Sequence, residues 1–290
     1  MAKPLFGPGG NSDCFYAAGF KSTFQAPEFV KNFGLDAYEV EAGRGVMGSA
    51  DTYKKIGEAA AQNGISLSIH APYFISLSSV EEEKRKGSSK YILQSAKALS
   101  SMGGGLMVIH AGSTAKLERS VALEYAVGAL SYALQQLQDA GLYGVKLGIE
   151  TMGKVNQLGT LDEVLAMCAV DKTVVPVVDF GHMNARECGG VFSVADDYKR
   201  VFEKISSVCG AHVAENLHCH FSKIEYTLGG EKKHLTFEDE KFGPDPAPLM
   251  QAMASLGVSP TIICESDGTQ AEDALLMKKC YESAIGGYNE

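Results

Sequence analysis

The feature that most constrains the fold is a unit that recurs along the chain: a short apolar run, a polar turn and a longer stretch with helical spacing. Eight such runs lie between residue 4 and residue 265. Short apolar runs that alternate with helices are typical of parallel sheets. The sequence therefore predicts a (β/α)8 barrel, formed as one domain over residues 1–290. The predicted strands are 4–7, 37–41, 66–70, 106–110, 146–150, 174–179, 216–220 and 261–265.

The stretches between these strands have the apolar spacing and the end signals of helices. Thr160 is a candidate N-cap, and Gly64 and Gly141 are candidate stops. The run 81–86 has charges of both signs and is expected to be solvated surface, and 223–245 is expected to be a long polar loop. The predicted helices are 50–62, 90–102, 117–140, 161–169, 193–207, 248–255 and 271–285.

The composition bounds the compartment and the partners. The net charge of −9 disfavours nucleic acid, because phosphate binding is mainly electrostatic, although carboxylates that hold metal ions count as negative in this sum. No apolar run is long enough to span a bilayer, and the N-terminus lacks the pattern of a secretory signal. The seven cysteines form no Cys-x-x-Cys pair, which is typical of a reducing compartment. We expect a cytoplasmic monomer.

Six consecutive predicted strands end at, or next to, a residue of a type that binds metal ions. In the strand 66–70, Leu67 and Ile69 are expected to face the helices, so Ser68 and His70 face the barrel axis. The other five candidates have the same phase. Because the carboxyl ends of barrel strands converge on one face, the sequence predicts a metal site there. The six candidates are His70, His110, Glu150, Asp179, His218 and Glu265.

Three further candidates lie in loops after these strands: His182, Glu231 and His234. These imidazoles and carboxylates are more numerous than the ligands that one ion binds. Two or three ions are therefore expected, with Glu150 as a bridging ligand. Zinc fits this donor set, and manganese or iron would also fit. Neighbouring ions of this kind clamp the attacking and leaving oxygens of a phosphate ester. For His220, a supporting role beside the ligands and a hydrogen-bonded place in the core both stay open.

Six segments, taken in order, resemble motifs of the endonuclease IV family, the family 2 apurinic/apyrimidinic (AP) endonucleases. This family lies within the xylose-isomerase-like TIM barrel superfamily. No single segment is specific, but the ordered set is, and it extends over about residues 66 to 270. The segments are Ile-His-Ala-Pro-Tyr at 69–73, Val-Ile-His-Ala-Gly-Ser at 108–113, Ile-Glu-Thr at 149–151, Val-Asp-Phe-Gly-His at 178–182, His218 with Ser222-Lys223, and Ile-Cys-Glu at 263–265.

The resemblance implies a hydrolase of base excision repair that cleaves double-stranded DNA 5′ of an abasic site and leaves a 3′-hydroxyl. It also implies three zinc ions, with Glu150 as the central catalytic group. The implied ligand sets are His70, His110 and Glu150; Glu150, Asp179, His218 and Glu265; and His182 and His234 with a carboxylate, for which Glu231 is the nearest.

The chain departs from the family pattern in three places. The family's loop pair is Asp-x-His, whereas Glu231 and His234 form Glu-x-x-His. His220-Phe221 replaces the family's Asn-Asp, and the opening segment 7–12 differs from the family's opening. A DNA substrate would require contacts from the loops around the site. The candidate DNA-binding residues are Tyr73, Arg44, Arg186 and Lys223.

Two other functions stay open. A sugar isomerase or epimerase on the same barrel is favoured by the acidic charge and the divergent loops, but such an enzyme typically needs only two Glu, one Asp and one His. His70, His110, His182 and His234 would then exceed the ligands required, which ranks this function second. The other is a non-enzymatic metal-binding sensor, a function that the full ligand set does not favour.

Overall fold

The structure, a computed structural model that describes residues 3–287, alternates strands with helices along the chain. The strands are β1 Leu5–Pro8, β2 Ala37–Glu41, β3 Ser66–His70, β4 Leu106–Ile109, β5 Lys146–Glu150, β6 Val174–Asp179, β7 His218–Phe221, β8 Lys223–Thr227, β9 Gly230–Leu235 and β10 Thr261–Cys264. The helices are α1 Asp13–Ala17, α2 Ala26–Asn32, α3 Ala50–Asn63, α4 Glu82–Met102, α5 Arg119–Asp139, α6 Leu161–Cys168, α7 Phe180–Arg186, α8 Ala195–Cys209, α9 Ala211–Glu215, α10 Pro246–Leu256 and α11 Gln270–Gly287.

Eight strands form the barrel, in the order β1-β10-β7-β6-β5-β4-β3-β2. The first and last strands of this order meet and close the sheet: the Gly10 amide donates to the Glu39 carbonyl at 2.9 Å, and the Asp36 amide donates to the Phe6 carbonyl at 2.8 Å. The predicted (β/α)8 barrel is confirmed. The predicted domain bounds include residues 1–2 and 288–290, which lie outside the described residues.

The core lies between the barrel sheet and the surrounding helices. Ile69, Ile149 and Val178 belong to this apolar cluster, whereas the residue that follows each of them along its strand points to the barrel axis. Alternation of side chains along a strand produces this division. The predicted phase of the barrel strands is therefore confirmed. None of the helices in residues 3–287 combines the length and the apolar content needed to cross a bilayer.

Several helix ends follow the sequence signals. The Thr160 side chain accepts a hydrogen bond from the Glu163 amide and caps α6, and Gly64 ends α3 in the left-handed conformation with φ of 67°. Residues 81–84 and 86 are exposed, as expected of solvated surface, and α4 begins at Glu82 rather than at residue 90. The polar segment 223–245 was wrongly expected to be a loop throughout, since β8 and β9 pair within it as an antiparallel hairpin.

Closure of the barrel depends on Gly7, whose position has no room for a side chain. A Cβ atom there would lie 1.8 Å from the Ala37 carbonyl oxygen on β2. We predict that Gly7→Ala lowers the free energy of unfolding by at least about 2 kcal/mol, because the backbones of β1 and β2 must move apart. Gly128→Ala is the matched control: a Cβ at Gly128 meets nothing within 4 Å, so this change within α5 is expected to stabilise the protein. Urea denaturation of both variants checks this, and equal unfolding curves would contradict it.

Candidate metal centre

The carboxyl ends of the barrel strands open into a cavity of about 1230 Å³. Most of the predicted ligands line its wall, and Asp179 and His220 are fully buried beneath them. The predicted ligands that line the cavity are His70, His110, Glu150, His182, Glu231, His234 and Glu265.

Glu150 lies at the middle of this cluster and is fully buried. Its Oε2 atom is 3.2 Å from His70 Nε2 and 2.9 Å from His110 Nε2. Its Oε1 atom is 3.0 Å from His220 Nδ1 and 3.4 Å from His182 Nδ1. One carboxylate at the end of β5 is therefore shared by four imidazole rings from four other parts of the chain.

The histidines hold Glu150 in its charged form. Burial alone would raise the pKa of Glu150, but the charge of His220 and hydrogen bonds from His110 and His182 hold that pKa well below its ordinary value. Burial alone would also lower the pKa of His70, but its hydrogen bond to Glu150 and the charge of Glu41 raise it to about 10. The buried negative charge is thus large enough to bind either protons or metal cations.

Asp179, His220 and Glu265 form a second donor set with Glu150, and their ligand atoms all lie within 4.8 Å of one another. Asp179 has two roles: its Oδ1 atom caps α7 by accepting from the His182 amide at 2.7 Å, whereas its buried Oδ2 atom lies 3.2 Å from His182 Nδ1 and has no hydrogen bond of good geometry in the described chain. Burial raises the pKa of Glu265 well above its ordinary value. A divalent cation would satisfy both this Asp179 oxygen and the crowded carboxylates, so this donor set fits one.

His182, Glu231 and His234 form a third donor set, in which His182 Nε2 lies 3.4 Å from Glu231 Oε2. Residues three apart on a regular strand face opposite sides. Here Glu231 pairs with Tyr226 whereas Lys233 pairs with Glu225, so Lys232 is an extra residue in β9. This β-bulge returns Glu231 and His234 to the same face. The structure thus brings the Glu-x-x-His pair together despite its departure from the Asp-x-His spacing.

Hydrogen-bond partners on the side of the ring away from the cluster orient three of the histidines in these sets. His70 Nδ1 lies 2.9 Å from the Ala71 carbonyl and His182 Nδ1 lies 3.1 Å from the Thr151 carbonyl, so in both rings Nε2 is free to face the cluster. His234 Nδ1 lies 2.8 Å from Ser222 Oγ. A second hydrogen bond of this kind fixes the ring and the tautomer of a metal-binding histidine.

The structure corrects the expected placement of His218. Strand β7 begins at His218, two residues later than predicted, so His220 rather than His218 is the register partner of Asp179. His218 lies deeper in the barrel, where its Nε2 atom is 2.9 Å from Glu39 Oε2. In the donor set with Asp179 and Glu265, the imidazole comes from His220.

Two of the four candidate DNA contacts are engaged within the protein. Arg186 donates to the carbonyls of the loop 152–157, including that of Lys154 at 2.8 Å, and Lys223 donates to the Phe237 carbonyl at 3.0 Å. The other two candidates, Tyr73 and Arg44, line the cavity. The Tyr73 side chain is 58% exposed and its ring centroid lies 5.6 Å from that of His110.

Sequence reasoning missed the residues contributed by β2 and by the cavity rim. Glu39 and Glu41 face the barrel axis with the phase of the other candidates, so their alternation with Tyr38 and Val40 was a usable signal. Glu41 lines the cavity and accepts a hydrogen bond from the Tyr73 hydroxyl at 3.3 Å. The rim also carries basic side chains, which no motif indicated. The basic residues that line the cavity are Lys21, Arg44, Lys154, Lys232 and Lys233.

Comparison with known sequences identifies relatives over most of the chain. The profile of the xylose isomerase-like TIM barrel family matches residues 27–280. An uncharacterized protein of Methanocaldococcus jannaschii is 34% identical over 258 residues, which cover 89% of this chain and 91% of that protein. A probable endonuclease 4 of Acholeplasma laidlawii is 30% identical over 188 residues, which cover 61% of each chain.

Solved structures with the same fold include sugar epimerases and an endonuclease IV. A D-tagatose 3-epimerase-like protein superposes with a TM-score of 0.73 at 18% identity, covering 99% of this chain and 100% of its own. Endonuclease IV from Thermus thermophilus superposes with a TM-score of 0.66 at 19% identity, covering 98% of this chain and 100% of its own. At these identities the likeness concerns the fold.

The hydrogen bonds of Arg186 predict that it supports the site rather than contacting a ligand. The loop that it holds also binds the hairpin, since the Glu231 amide donates to the Gly153 carbonyl at 3.0 Å. We predict that Arg186→Ala lowers the free energy of unfolding by about 1–3 kcal/mol, because charge-assisted bonds to several carbonyls are lost. Arg200→Ala, which removes an exposed ion pair with Asp197 on α8, is the control and is expected to change it by less than about 1 kcal/mol. If Arg186→Ala unfolds like the unmodified protein, Arg186 becomes a candidate ligand contact again.

Proposed function

The chain belongs to the xylose isomerase-like TIM barrel family, and we propose that it is a metal-dependent phosphodiesterase that cleaves double-stranded DNA 5′ of abasic sites. Several groups of described residues could hold an ion, among them Glu39 with His218 and His220; the observation that carries the proposal is that three of these donor sets converge on one cavity and two of the three share Glu150. The similarity to a probable endonuclease 4 supports the same activity. The task of such an enzyme would lie in base excision repair.

Each donor set would hold one divalent ion, with zinc as the best fit and manganese or iron as alternatives. When bound, such ions neutralise the charge of the phosphate ester and lower the pKa of water. Glu150 belongs to two sets and would bridge their ions. The proposed ligand sets are His70, His110 and Glu150; Glu150, Asp179, His220 and Glu265; and His182, Glu231 and His234.

The side chains around the ions would bind and orient the substrate. The basic rim would attract the DNA backbone, because cations around a cleft raise the local concentration of anions even when the protein is acidic overall. Tyr73 stands over His70 and His110, with ring centroids 5.4 Å and 5.6 Å apart. Its exposed ring offers an apolar surface for a sugar that has lost its base, whose extrusion from the duplex costs less than that of an intact nucleotide.

A sugar epimerase is the second candidate, and one observation favours it. The set Glu150, Asp179, His220 and Glu265 alone supplies two Glu, one Asp and one His, which would hold the single ion of such an enzyme. That function, however, leaves the third donor set without a task, although the bulge in β9 brings Glu231 and His234 into place. The phosphodiesterase uses all three sets, which is why we rank it first.

The first test is cleavage of a duplex that carries one tetrahydrofuran abasic analogue. We expect the zinc-loaded protein to cut 5′ of the analogue and a chelator to stop the reaction. Glu150→Gln should lower the rate by at least about 1000-fold while the fold is retained, because a shared anionic ligand is replaced by a neutral amide. His212→Gln is the control, because His212 is exposed at the opposite end of the barrel. This variant should cleave the duplex at the normal rate.

Metal analysis and a sugar assay complete this test. Three zinc ions per chain are expected, and two in His234→Gln. A zinc-loaded protein that leaves the duplex intact but exchanges the C3 hydrogen of a ketohexose in D2O would overturn the phosphodiesterase and establish the epimerase.

The second test concerns the basic rim. Lys154 and Lys233 are exposed at the cavity, on the loop after β5 and on β9. We predict that replacing both by Ala weakens binding of abasic duplex and lowers the slope of log affinity against log salt by about 2, because each lysine displaces about one counterion. The matched control replaces Lys146 and Lys172, which are exposed at the amino ends of β5 and β6, and should leave the slope unchanged. Equal slopes in the two double variants would remove the rim from the DNA path.

A further inference from the structure

A buried carboxylate that the proposed chemistry does not use lies one layer below the donor sets. Glu39 on β2 is fully buried inside the barrel. Its Oε2 atom accepts a hydrogen bond from Ser68 Oγ at 2.6 Å and lies 2.9 Å from His218 Nε2. Ser68 is the register partner of Glu39 on β3. Two donors on one oxygen hold the carboxylate in a single orientation.

The second oxygen of Glu39 is directed at His220. Oε1 lies 2.8 Å from His220 Nε2, an ion-pair separation, and neither of these two buried atoms has a hydrogen bond of good geometry among residues 3–287. At this separation each of the two buried groups is placed to serve as the other's partner, since either one alone would carry its full desolvation cost. His220 therefore presents Nε2 downward to Glu39.

The other nitrogen of the same ring faces the donor sets. His220 Nδ1 lies 3.0 Å from Glu150 Oε1 and 3.3 Å from Glu265 Oε1. If the His220 ring were flipped about its Cβ–Cγ bond, carbon atoms would face these carboxylates and Glu39. Only one orientation of the ring uses both nitrogens, and it is the orientation in which Nδ1 can serve as a ligand.

We propose that Glu39 is a positioning residue, which accepts the His220 Nε2–H and thereby keeps Nδ1 directed at the ion shared by Glu150, Asp179 and Glu265. The inference rests on the proposed metal centre. A carboxylate behind a ligating histidine fixes its tautomer and raises its basicity. Three donors converge on Glu39, from Ser68, His218 and His220, so a glutamine would place its own N–H2 group against one of them.

The first measurement is zinc affinity by competition with a chelator, on the full-length protein. We expect Glu39→Gln to weaken the binding of one zinc ion about 10- to 100-fold. Ser68→Ala is the matched control, because it removes a hydrogen bond from the same carboxylate but leaves the contact with His220. It should change the zinc affinity by less than about 3-fold. Equal affinities in the unmodified protein and Glu39→Gln would overturn the proposal.

The second measurement is the protonation of His220, by histidine-selective 15N NMR of the zinc-loaded protein. The resonances are assigned by their loss in His220→Gln. The expected result is a slowly exchanging Nε2–H and a metal-bound Nδ1, with the Nε2–H exchanging faster in Glu39→Gln. A ring bound through Nε2 would overturn the proposal, and this spectrum decides the matter even if Glu39→Gln does not fold.

These measurements separate the inference from the proposed function. A zinc-dependent effect of Glu39→Gln in a protein that leaves abasic duplex intact would support the positioning role and refute the phosphodiesterase. Cleavage at the normal rate and normal zinc affinity in Glu39→Gln would refute the positioning role alone.

Discussion

The buried Glu150 carboxylate is the group on which the polar end of this barrel depends. An isolated charge at this depth would cost several kcal/mol, and only a full shell of donors makes its burial tolerable. Four imidazoles supply that shell, from the ends of β3, β4 and β7 and from the first turn of α7. Because His70 and His182 are in turn tied to backbone carbonyls, the geometry of the cluster follows from the backbone of the barrel.

The fold and most of the site could be predicted because they rest on a local property of the chain. Successive side chains on a strand face opposite sides, so an apolar residue such as Ile69 or Ile149 implies that the next residue faces the axis. The predicted bounds of β2, β3, β5 and β6 agree with the structure. That phase placed His70, Glu150 and Asp179 on one face, and the structure brings them together.

The differences between expectation and structure concern properties that no local pattern contains. His218 and His220 have the same phase, and which of them reaches the donor sets depends on how far β7 is shifted relative to β6 and β10. Register between strands is set by contacts between distant segments. The role of Arg186 could not be predicted for the same reason, since its carbonyl partners lie some 30 residues earlier in the chain. The sequence does not distinguish an arginine that binds a ligand from one that binds the carbonyls of a neighbouring loop.

The acidic charge of the chain and a phosphate-containing substrate are compatible once the charges are located. Several carboxylates lie at or beneath the cavity, where three divalent ions would offset six of the nine net negative charges. They include Glu39, Glu41, Glu150, Asp179, Glu231 and Glu265. The lysines and the arginine stand above them at the rim, and screening in salt limits their influence to about 8–10 Å. A phosphate entering the cavity would therefore meet positive charge first at the rim and then at the ions, while salt screens the acidic groups on more distant parts of the surface. Beneath the ions, Glu39 places one more negative charge against His220, where it acts on a ligand rather than on the substrate.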